Sequence, residues 1–399
     1  MATSHKIDYQ LLIITGVLLV IGLIMITSIG VPKSIQISAP GVLYPSCDDP
    51  AVDCYLLFKR HLFRMGLGIF AMFVFSKIHF RFWEKISVYV FGLAIASLVV
   101  VLLLGSTNNT FAKSWLTFFD TSIQPTEFAK IALIFYLSVW FEKRRSDIGS
   151  LHYGFLPFCF ITSGMLLPIL LQPDLGSAFV ITAIAVGIYF VAGARIRHLA
   201  LGMLIVFVFS SFAILGIDHV RQRFSAFVKP TAECREDYCW QSEQATIAVG
   251  SGGFFGKGLA QGVQKSYWLP QASEDFIFAA SAEELGFVRT AIIVLLYGMI
   301  AYRGWLIAQG APNGFSQLVA VGITVWITFQ AFVNIGVNTN LFPITGITLP
   351  FISYGGSSLI ASLIGIGVLL NISQYSSHAG SFYRRRYSGT RPAQYRRYS

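Results

Sequence analysis

Ten long apolar runs, separated by shorter polar segments, constrain the fold of this 399-residue chain more than any other feature. A helix needs about 20 apolar residues to cross a bilayer. Hydrophobic residues make up 55% of the chain and charged residues only 12%, whereas a soluble domain has about 25% charged residues. We therefore predict an all-α polytopic membrane protein. The predicted spans are about 11–30, 62–76, 87–104, 128–141, 153–171, 178–193, 199–217, 288–308, 315–335 and 358–372.

Basic residues in the short connections predict the orientation, because cytoplasmic loops of membrane proteins are rich in Lys and Arg. Every second connection carries them, and together with Lys6 and the basic C-terminal region they place both termini in the cytoplasm. That placement requires an even number of spans, which agrees with ten. The residues concerned are Lys77, Arg81, Lys85, Lys143, Arg144, Arg145, Arg195, Arg197 and Arg303.

Two regions follow from this pattern: a membrane domain over residues 1–376 and a basic cytoplasmic tail over 377–399, which we predict to be disordered. The net charge of +10 is largely a property of the tail. A basic segment directly after an apolar span is typical of contact with anionic lipid, and without a folded basic module it does not predict nucleic-acid binding. The tail arginines are Arg384, Arg385, Arg386, Arg391, Arg396 and Arg397.

Three outer segments are long: about 31–61, 105–127 and 218–287. The third holds most of the polar residues that could carry chemistry, and connections of such length are usually functional or partly folded. We therefore expect the function to lie at the outer face, in the loop between the seventh and eighth spans.

The cysteines occur as close pairs only in outer segments. Cys47 and Cys54 lie in the first, Cys234 and Cys239 in the third, and Cys159 lies inside a span. Close pairs in an oxidising compartment favour two local disulfides, while free thiols or a zinc site of four thiols remain alternatives.

An acidic pair, Glu274 and Asp275, lies between a Trp-Leu-Pro turn and an aromatic run that enters the membrane. A carboxylate at such a boundary is tolerated when it is solvated, paired with a cation or needed for function. A buried Asp can also have a raised pKa and act as a general base. The alternative is that Ser273, Glu274 or Asp275 only caps the helix starting at Phe276.

The glycine-rich segment 250–258, with Lys257 inside it and Lys265 after it, offers unobstructed backbone amides. Such amides could hold a diphosphate, or the glycines could simply allow a close-packed turn. A second irregular segment, 343–358, contains two prolines and three glycines. Irregular backbone at membrane depth must be buried in protein or line a watery cavity, which makes a ligand groove plausible there.

Further carboxylates lie at the outer ends of spans. Glu127 and Lys130 stand three residues apart, which predicts a mutual ion pair. Asp174 lies between two spans without room for a soluble loop, so we expect a buried polar partner. Glu283 and Glu284 are predicted to have supporting roles, with at most one side chain facing inward and with Arg289 as their partner.

Taken in order, these motifs resemble the SEDS family of bacterial envelope proteins, which comprises the FtsW, RodA and SpoVE types. The segment 369–372 is most similar to the FtsW, division-type members. The motifs are Gln124-Pro-Thr-Glu-Phe-Ala-Lys130, Gln172-Pro-Asp-Leu-Gly-Ser177, Trp240-Gln-x-x-Gln244, Gly250-Ser-Gly-Gly253, Gln264-Lys265, Trp268-Leu-Pro270, Asp275-Phe-Ile-Phe278, Glu283-Glu-Leu-Gly286 and Leu349-Pro-Phe-Ile-Ser-Tyr-Gly-Gly-Ser-Ser358.

The resemblance implies a peptidoglycan glycosyltransferase that polymerises lipid II at the outer face of the bacterial cytoplasmic membrane. Its expected partners are a class B penicillin-binding protein and other division or elongation proteins. Asp275 would be the general base, and undecaprenyl diphosphate the leaving group. Cations or a divalent Mg²⁺ or Mn²⁺ would stabilise the departing charge. The implied substrate-binding residues are Lys265, Lys113, Arg223, Gln244, Gly252, Gly253 and Ser353.

Two motifs depart from the family pattern. The family's Leu-Pro-Glu-x-His-Thr-Asp is Leu269-Pro-Gln-Ala-Ser-Glu-Asp275 here, so the Asp is kept while a Glu and a His are missing. The family's Arg-Arg-Trp is Lys113-Ser-Trp115, with one cation. Transport of a lipid-linked precursor, or a scaffold role without catalysis, remains an alternative function. The concentration of polar residues on the outer side favours the enzyme.

Overall fold

A computed structural model describes residues 7–40, 46–106, 113–118, 121–216, 218–228 and 239–376; the predicted tail lies outside them. Most of the described chain is helical. The helices are α1 Tyr9–Ile29, α2 Val31–Ser38, α3 Leu56–Lys77, α4 Phe80–Leu104, α5 Pro125–Lys143, α6 Leu156–Leu171, α7 Leu175–Ala192, α8 Ile196–Gly216, α9 Asp218–Val228, α10 Trp240–Ser251, α11 Ile277–Gly310, α12 Gly314–Asn338 and α13 Gly356–Ser373; a π-helical turn, Leu151–Phe155, leads into α6.

Each of the ten predicted spans overlaps one of the long helices. Among the described residues, seven helices are long and apolar enough to cross a membrane by length and composition. Charged residues in α3 and α5 interrupt their apolar sequence. The chain is therefore a helical integral membrane protein.

The outer segments contain more structure than the sequence predicted. The first contains α2, and α3 begins six residues before the predicted span. The second contains a two-stranded antiparallel sheet, β1 Leu116–Phe118 and β2 Thr121–Ile123. The third contains α9, α10 and the start of α11. Small residues explain α10: Ala245 and Ala248 are buried and let this helix approach α11 closely.

Polar contacts tie the helix ends together at two opposite ends of the bundle. At one end, Arg303 of α11 pairs with Asp8, and the Asp8 amide donates to Ser373 at the end of α13. At the other end, Ser28 of α1 donates to Glu284 of α11. Helices α1 and α11 are therefore antiparallel, as expected of two helices that cross the same layer.

The centre of the bundle is formed by α12 and α13. In the most apolar stretch of each helix, 72% of the α12 residues and 89% of the α13 residues are buried inside the protein, compared with 22% of the α4 residues. Helix α13 packs along α3, and α12 lies against α5, α7 and α11. Lipid would cover the helices at the periphery of the bundle, whose exposed side chains are mostly large and apolar.

Candidate functional site

Three consecutive backbone carbonyls fix the segment that contains Asp275. The carbonyl oxygen of Ser273 accepts from the amide of Tyr354 at 2.8 Å. That of Glu274 accepts from the hydroxyl of Ser353. The segment is therefore attached to the chain that leads into α13.

The third carbonyl, that of Asp275, is held by two side-chain amides of α12. Asn334 Nδ2 donates to it at 2.8 Å and Asn338 Nδ2 at 2.9 Å. Both asparagines are buried, and they stand one helical turn apart on the same face. The backbone of Asp275 is thus positioned by a rigid helix rather than by its own loop.

The Asp275 side chain faces the irregular chain between α12 and α13. A Cβ atom on Gly346 would lie 3.6 Å from Oδ2 of Asp275, and Gly346 has a positive φ of 71°. The structure assigns no helix or strand to residues 339–355, which confirms the predicted irregular segment over 343–355, whereas its last three residues, 356–358, begin α13. Ser353, a predicted substrate-binding residue, lies beside this carboxylate-bearing segment through its bond to Glu274.

Helix capping by Ser273, Glu274 or Asp275 was the alternative for this segment, and the N-cap position of α11 is none of these three residues. The N-cap of α11 is Phe276, whose side chain caps nothing. The third amide of the helix, that of Ala279, instead donates to Oδ1 of Asn338 at 2.9 Å. The side chain of Asn338, from α12, therefore satisfies an amide at the start of α11 that a capping residue would otherwise satisfy.

Both Glu283 and Glu284 are fully buried, so the expectation that at most one faces inward is wrong. Glu283 pairs with Lys257 at 2.7 Å and Glu284 with Lys265 at 2.6 Å. Arg289, the predicted partner, instead donates to the carbonyl of Phe255. The lysines are better placed because the glycine-rich chain folds back over the start of α11.

The two glutamates also hold the chain that leads to Asp275. The carboxylate of Glu283 accepts from the amides of Val263 and Gln264, each at 3.0 Å, and Glu284 accepts from that of Ala260 at 3.2 Å. Their supporting role is thus visible in the contacts. The ammonium of Lys265 pairs with Glu284 and also donates to Ser28, and its side chain is only 8% exposed. These contacts give Lys265 a structural role in holding this chain.

A break in α11 explains the glycine-rich segment. Gly286 has φ 78° and ψ 175°, a region open essentially only to glycine, so the helical bonds across it are lost. The segment 253–258 replaces them. The amides of Phe287 and Val288 donate to the carbonyls of Gly253 and Phe254, and those of Lys257 and Gly258 donate to the carbonyls of Glu283 and Glu284.

Close packing is therefore the use of these glycines that the structure supports. A Cβ on Gly252 would lie 2.0 Å from the carbonyl oxygen of Ala282. Gly253, with φ 56°, has open space beside it and gives its carbonyl to Phe287. Diphosphate binding at Gly252 and Gly253 stays a prediction.

A second polar network lies between α5 and α12. Lys130 and Glu127 form the predicted ion pair at 2.8 Å, with the lysine fully buried. The Lys130 ammonium also donates to Oε1 of Gln330 and lies 5.4 Å from the ring centre of Trp326. Gln330 in turn donates to the carbonyl of Thr348 at 3.0 Å, so the network reaches the irregular segment.

Asp174 has the buried partners that the sequence predicted. Its carboxylate accepts from the amide and hydroxyl of Ser177, at 3.0 and 2.8 Å, and from Gln124 Nε2 at 3.2 Å. It thereby caps α7 just before the span begins. Burial raises the pKa of Asp174 above its ordinary value, although the bonds from Ser177 act in the opposite direction.

The disulfide predictions hold where the described residues test them. Cys47 and Cys54 form a disulfide, Cys239 is disulfide-bonded, and Cys159 is a free thiol. Cys234, the predicted partner of Cys239, lies outside the described residues.

The remaining predicted binding residues are dispersed. Gln244 is buried on α10, and Lys113 is exposed just before β1. Arg223 belongs to α9, but its side chain lies outside the described part of the chain. Among the described contacts, neither Gln244 nor Lys113 bonds to the Ser273–Asp275 backbone.

Arg64 is a residue that the sequence analysis missed. It lies inside an apolar stretch of α3, over the ring of Tyr354 at 5.1 Å. A Cβ on Gly356, the first residue of α13, would meet its Nε at 2.8 Å. No carboxylate in the described chain pairs with it. An arginine inside the predicted span 62–76, which is otherwise free of charged residues, is the signal that could have found it.

No group of three or more His, Cys, Asp or Glu residues in the described ranges is arranged to hold a metal ion. The described residues therefore build no complete protein cage for the Mg²⁺ or Mn²⁺ that the sequence suggested, and the metal requirement stays a prediction.

The family model for FtsW, RodA and SpoVE, described as "Cell cycle protein", matches residues 9–378. The chain belongs to this family, also called SEDS. Stage V sporulation protein E of Bacillus subtilis is 38% identical to this SEDS chain over 374 residues, covering 93% of it and 98% of the relative. A probable peptidoglycan glycosyltransferase FtsW of Trichlorobacter lovleyi is 35% identical over 316 residues, covering 79% and 83%.

Solved structures agree with this assignment. One from a study of a peptidoglycan synthase complex that coordinates polymerization and crosslinking has a TM-score of 0.74 at 25% identity, covering 92% of this chain and 97% of that one. The rod shape determining protein RodA of Thermus thermophilus has a TM-score of 0.65 at 26% identity, covering 93% and 98%.

Proposed function

We propose that this protein is a peptidoglycan glycosyltransferase that polymerises lipid II into glycan strands during cell division. One observation carries the proposal: Asp275, in a motif shared with the family, is fixed by α12 and by the chain before α13. The names of the FtsW relatives support the activity.

The anchored backbone suits a general base. Positioning within a fraction of an ångström matters for proton transfer, and side chains on rigid supports achieve it better than those on free loops. Asp275 takes the proton of the acceptor sugar hydroxyl as that oxygen attacks the anomeric carbon of the donor. The bond from this carbon to the diphosphate oxygen breaks, undecaprenyl diphosphate leaves, and one displacement inverts the centre.

The leaving diphosphate needs a cation, and Arg64 is the best placed of the described residues. Lys265 is neutralised by Glu284. Arg64 forms no ion pair with a carboxylate of the described residues, and it lies beside Gly356, the first residue of α13, and over the ring of Tyr354. The N-terminus of a helix also favours anions, and the N-cap residue Gly355 supplies no side-chain bond there. If a divalent ion is required, it would arrive with the diphosphate, as Mg²⁺ often does.

The membrane arrangement follows from the same proposal. Ten helices span the bacterial cytoplasmic membrane, with both termini inside the cell and the Asp275 segment at the outer face. The contacts of Asp8 with Arg303 and Ser373 support the shared side of the termini. A class B penicillin-binding protein is the proposed partner, which would crosslink the strands.

Reconstitution with lipid II tests the proposal. The purified protein, alone and with a class B penicillin-binding protein, is placed in liposomes, and the products are separated on a gel. Glycan strands support the enzyme. Folded protein that yields no strands with the partner present, yet moves fluorescent lipid II across the bilayer, would contradict it and favour transport.

A further inference from the structure

The short outer helix α2 reaches the residue next to Asp275. Lys33 of α2 forms an ion pair with Oε1 of Glu274, and the two side chains are 33% and 25% exposed. The side chain of Tyr267, in the chain leading to this segment, also donates to the carbonyl of Pro32 in α2 at 3.5 Å. Both contacts connect α2 to the chain just before α11.

Helix α2 is itself braced by the Cys47–Cys54 disulfide loop. Val52 and Cys54 of this loop are buried with Ala39, against Val31 and Ile35 of the helix. The amide of Asp53 donates to the hydroxyl of Ser38 at 3.0 Å.

The opposite flank of α2 is tied to α3, because the amide of Leu57 donates to the hydroxyl of Ser34 at 3.1 Å. The position of Lys33 is thus determined on two sides. An eight-residue helix is too short to be stable alone, so these contacts are what hold it.

We propose that Lys33 is a positioning residue: its ion pair with Glu274, supported by the disulfide loop, fixes the orientation of the neighbouring Asp275. The inference rests on the proposed role of Asp275. It also explains the departure at this motif, because Glu274 stands where the family pattern has Thr, and this chain supplies a lysine to pair with it.

Steady-state kinetics of strand formation test the idea with Lys33→Gln, Glu274→Gln and the reversed pair Lys33→Glu/Glu274→Lys. We expect each single variant to lower kcat about tenfold, with KM for lipid II nearly unchanged, since misplacement of a catalytic group lowers the rate of chemistry. The reversed pair should recover most of the loss. Arg145→Gln, which breaks the ion pair with Glu142 at 2.9 Å far from α2 in the sequence, is the control and should change kcat less than twofold.

Unchanged kcat in Lys33→Gln, a rise in KM alone, or a reversed pair no better than the worse single variant would each overturn the proposal. A readout without catalysis separates it from the activity itself. Hydrogen exchange of the amides of residues 271–276 should accelerate in Lys33→Gln and not in Arg145→Gln, even if the wild type makes no strands. Equal exchange in all three proteins would overturn the positioning role.

The disulfide is tested by Cys47→Ser/Cys54→Ser in two backgrounds. If the loop acts through Lys33, removing it should lower kcat severalfold in the wild type and add little in Lys33→Gln, because coupled residues are not additive. An equal loss in both backgrounds would show that the loop acts elsewhere.

Discussion

Asn338 of α12 bridges Asp275 and the first turn of α11: its amide nitrogen donates to the Asp275 carbonyl at 2.9 Å, while its oxygen accepts from the amide of Ala279 at 2.9 Å. One buried side chain therefore fixes the backbone of the proposed base and caps the helix that follows it. Position and stability are coupled at this residue.

Asn338→Ala and Asn338→Asp separate these two roles. Alanine loses both bonds and leaves buried groups unsatisfied, so we expect a loss of about 1–3 kcal/mol of stability together with reduced strand formation. Aspartate keeps an acceptor for Ala279 but cannot donate to Asp275. Thermal unfolding in detergent and initial rates measure both effects. Full activity in both variants would show that the Asp275 carbonyl needs no such support.

The ion pair between Glu127 and Lys130 makes a prediction about stability. Lys130→Met leaves the Glu127 carboxylate buried without its partner, which should cost about 3–5 kcal/mol. The double variant Glu127→Gln/Lys130→Met should recover part of this loss. Arg145→Gln, which breaks an exposed pair with Glu142 at the end of α5, is the control and should cost less than about 1 kcal/mol. Equal effects of the buried and exposed changes would contradict the account.

Asp174 predicts a pH dependence of stability. Its pKa in the folded protein is raised by burial above the ordinary 3.8, so the stability it contributes is present below that value and is lost as pH rises through the folded pKa. Asp174→Asn keeps an acceptor for the Ser177 amide without a charge. The melting temperature of the variant relative to wild type should therefore increase with pH above about 4 and then level off. A difference that is independent of pH would be the contrary result.

Arg64 predicts a defect in binding and turnover. Arg64→Gln should lower kcat/KM for lipid II at least about tenfold, since a charge-assisted contact to the diphosphate is lost, and Arg64→Lys should restore part of it. Arg81→Gln, which changes an exposed arginine in the first turn of α4, is the control. Normal kcat/KM in Arg64→Gln would remove Arg64 from the site.

The long apolar runs predict the long helices well, because a helix that crosses a bilayer needs about 20 apolar residues. The ion pair of Glu127 with Lys130 and the buried state of Asp174 also follow from local spacing. Contacts between residues far apart in the sequence do not follow from local spacing. Gly286 breaks α11, and the glycine-rich chain packs into the break. Lys257 and Lys265 can pair with Glu283 and Glu284 because of this packing.

The same limit applies at the centre of the site. Asn334 and Asn338 lie about 60 residues from Asp275 in the sequence, and no spacing rule connects them. Arg64 was overlooked because an apolar run tolerates one cation without losing its pattern.

The most direct test of the account is strand formation from lipid II by Asp275→Asn beside wild type, both with the partner present and with equal melting temperatures. Asparagine keeps the shape and the backbone contacts but cannot accept the proton. We predict strands from wild type and a loss of at least about a hundredfold in the variant, the effect of removing a general base. Wild-type rates in the variant would contradict the assignment of Asp275 as the base.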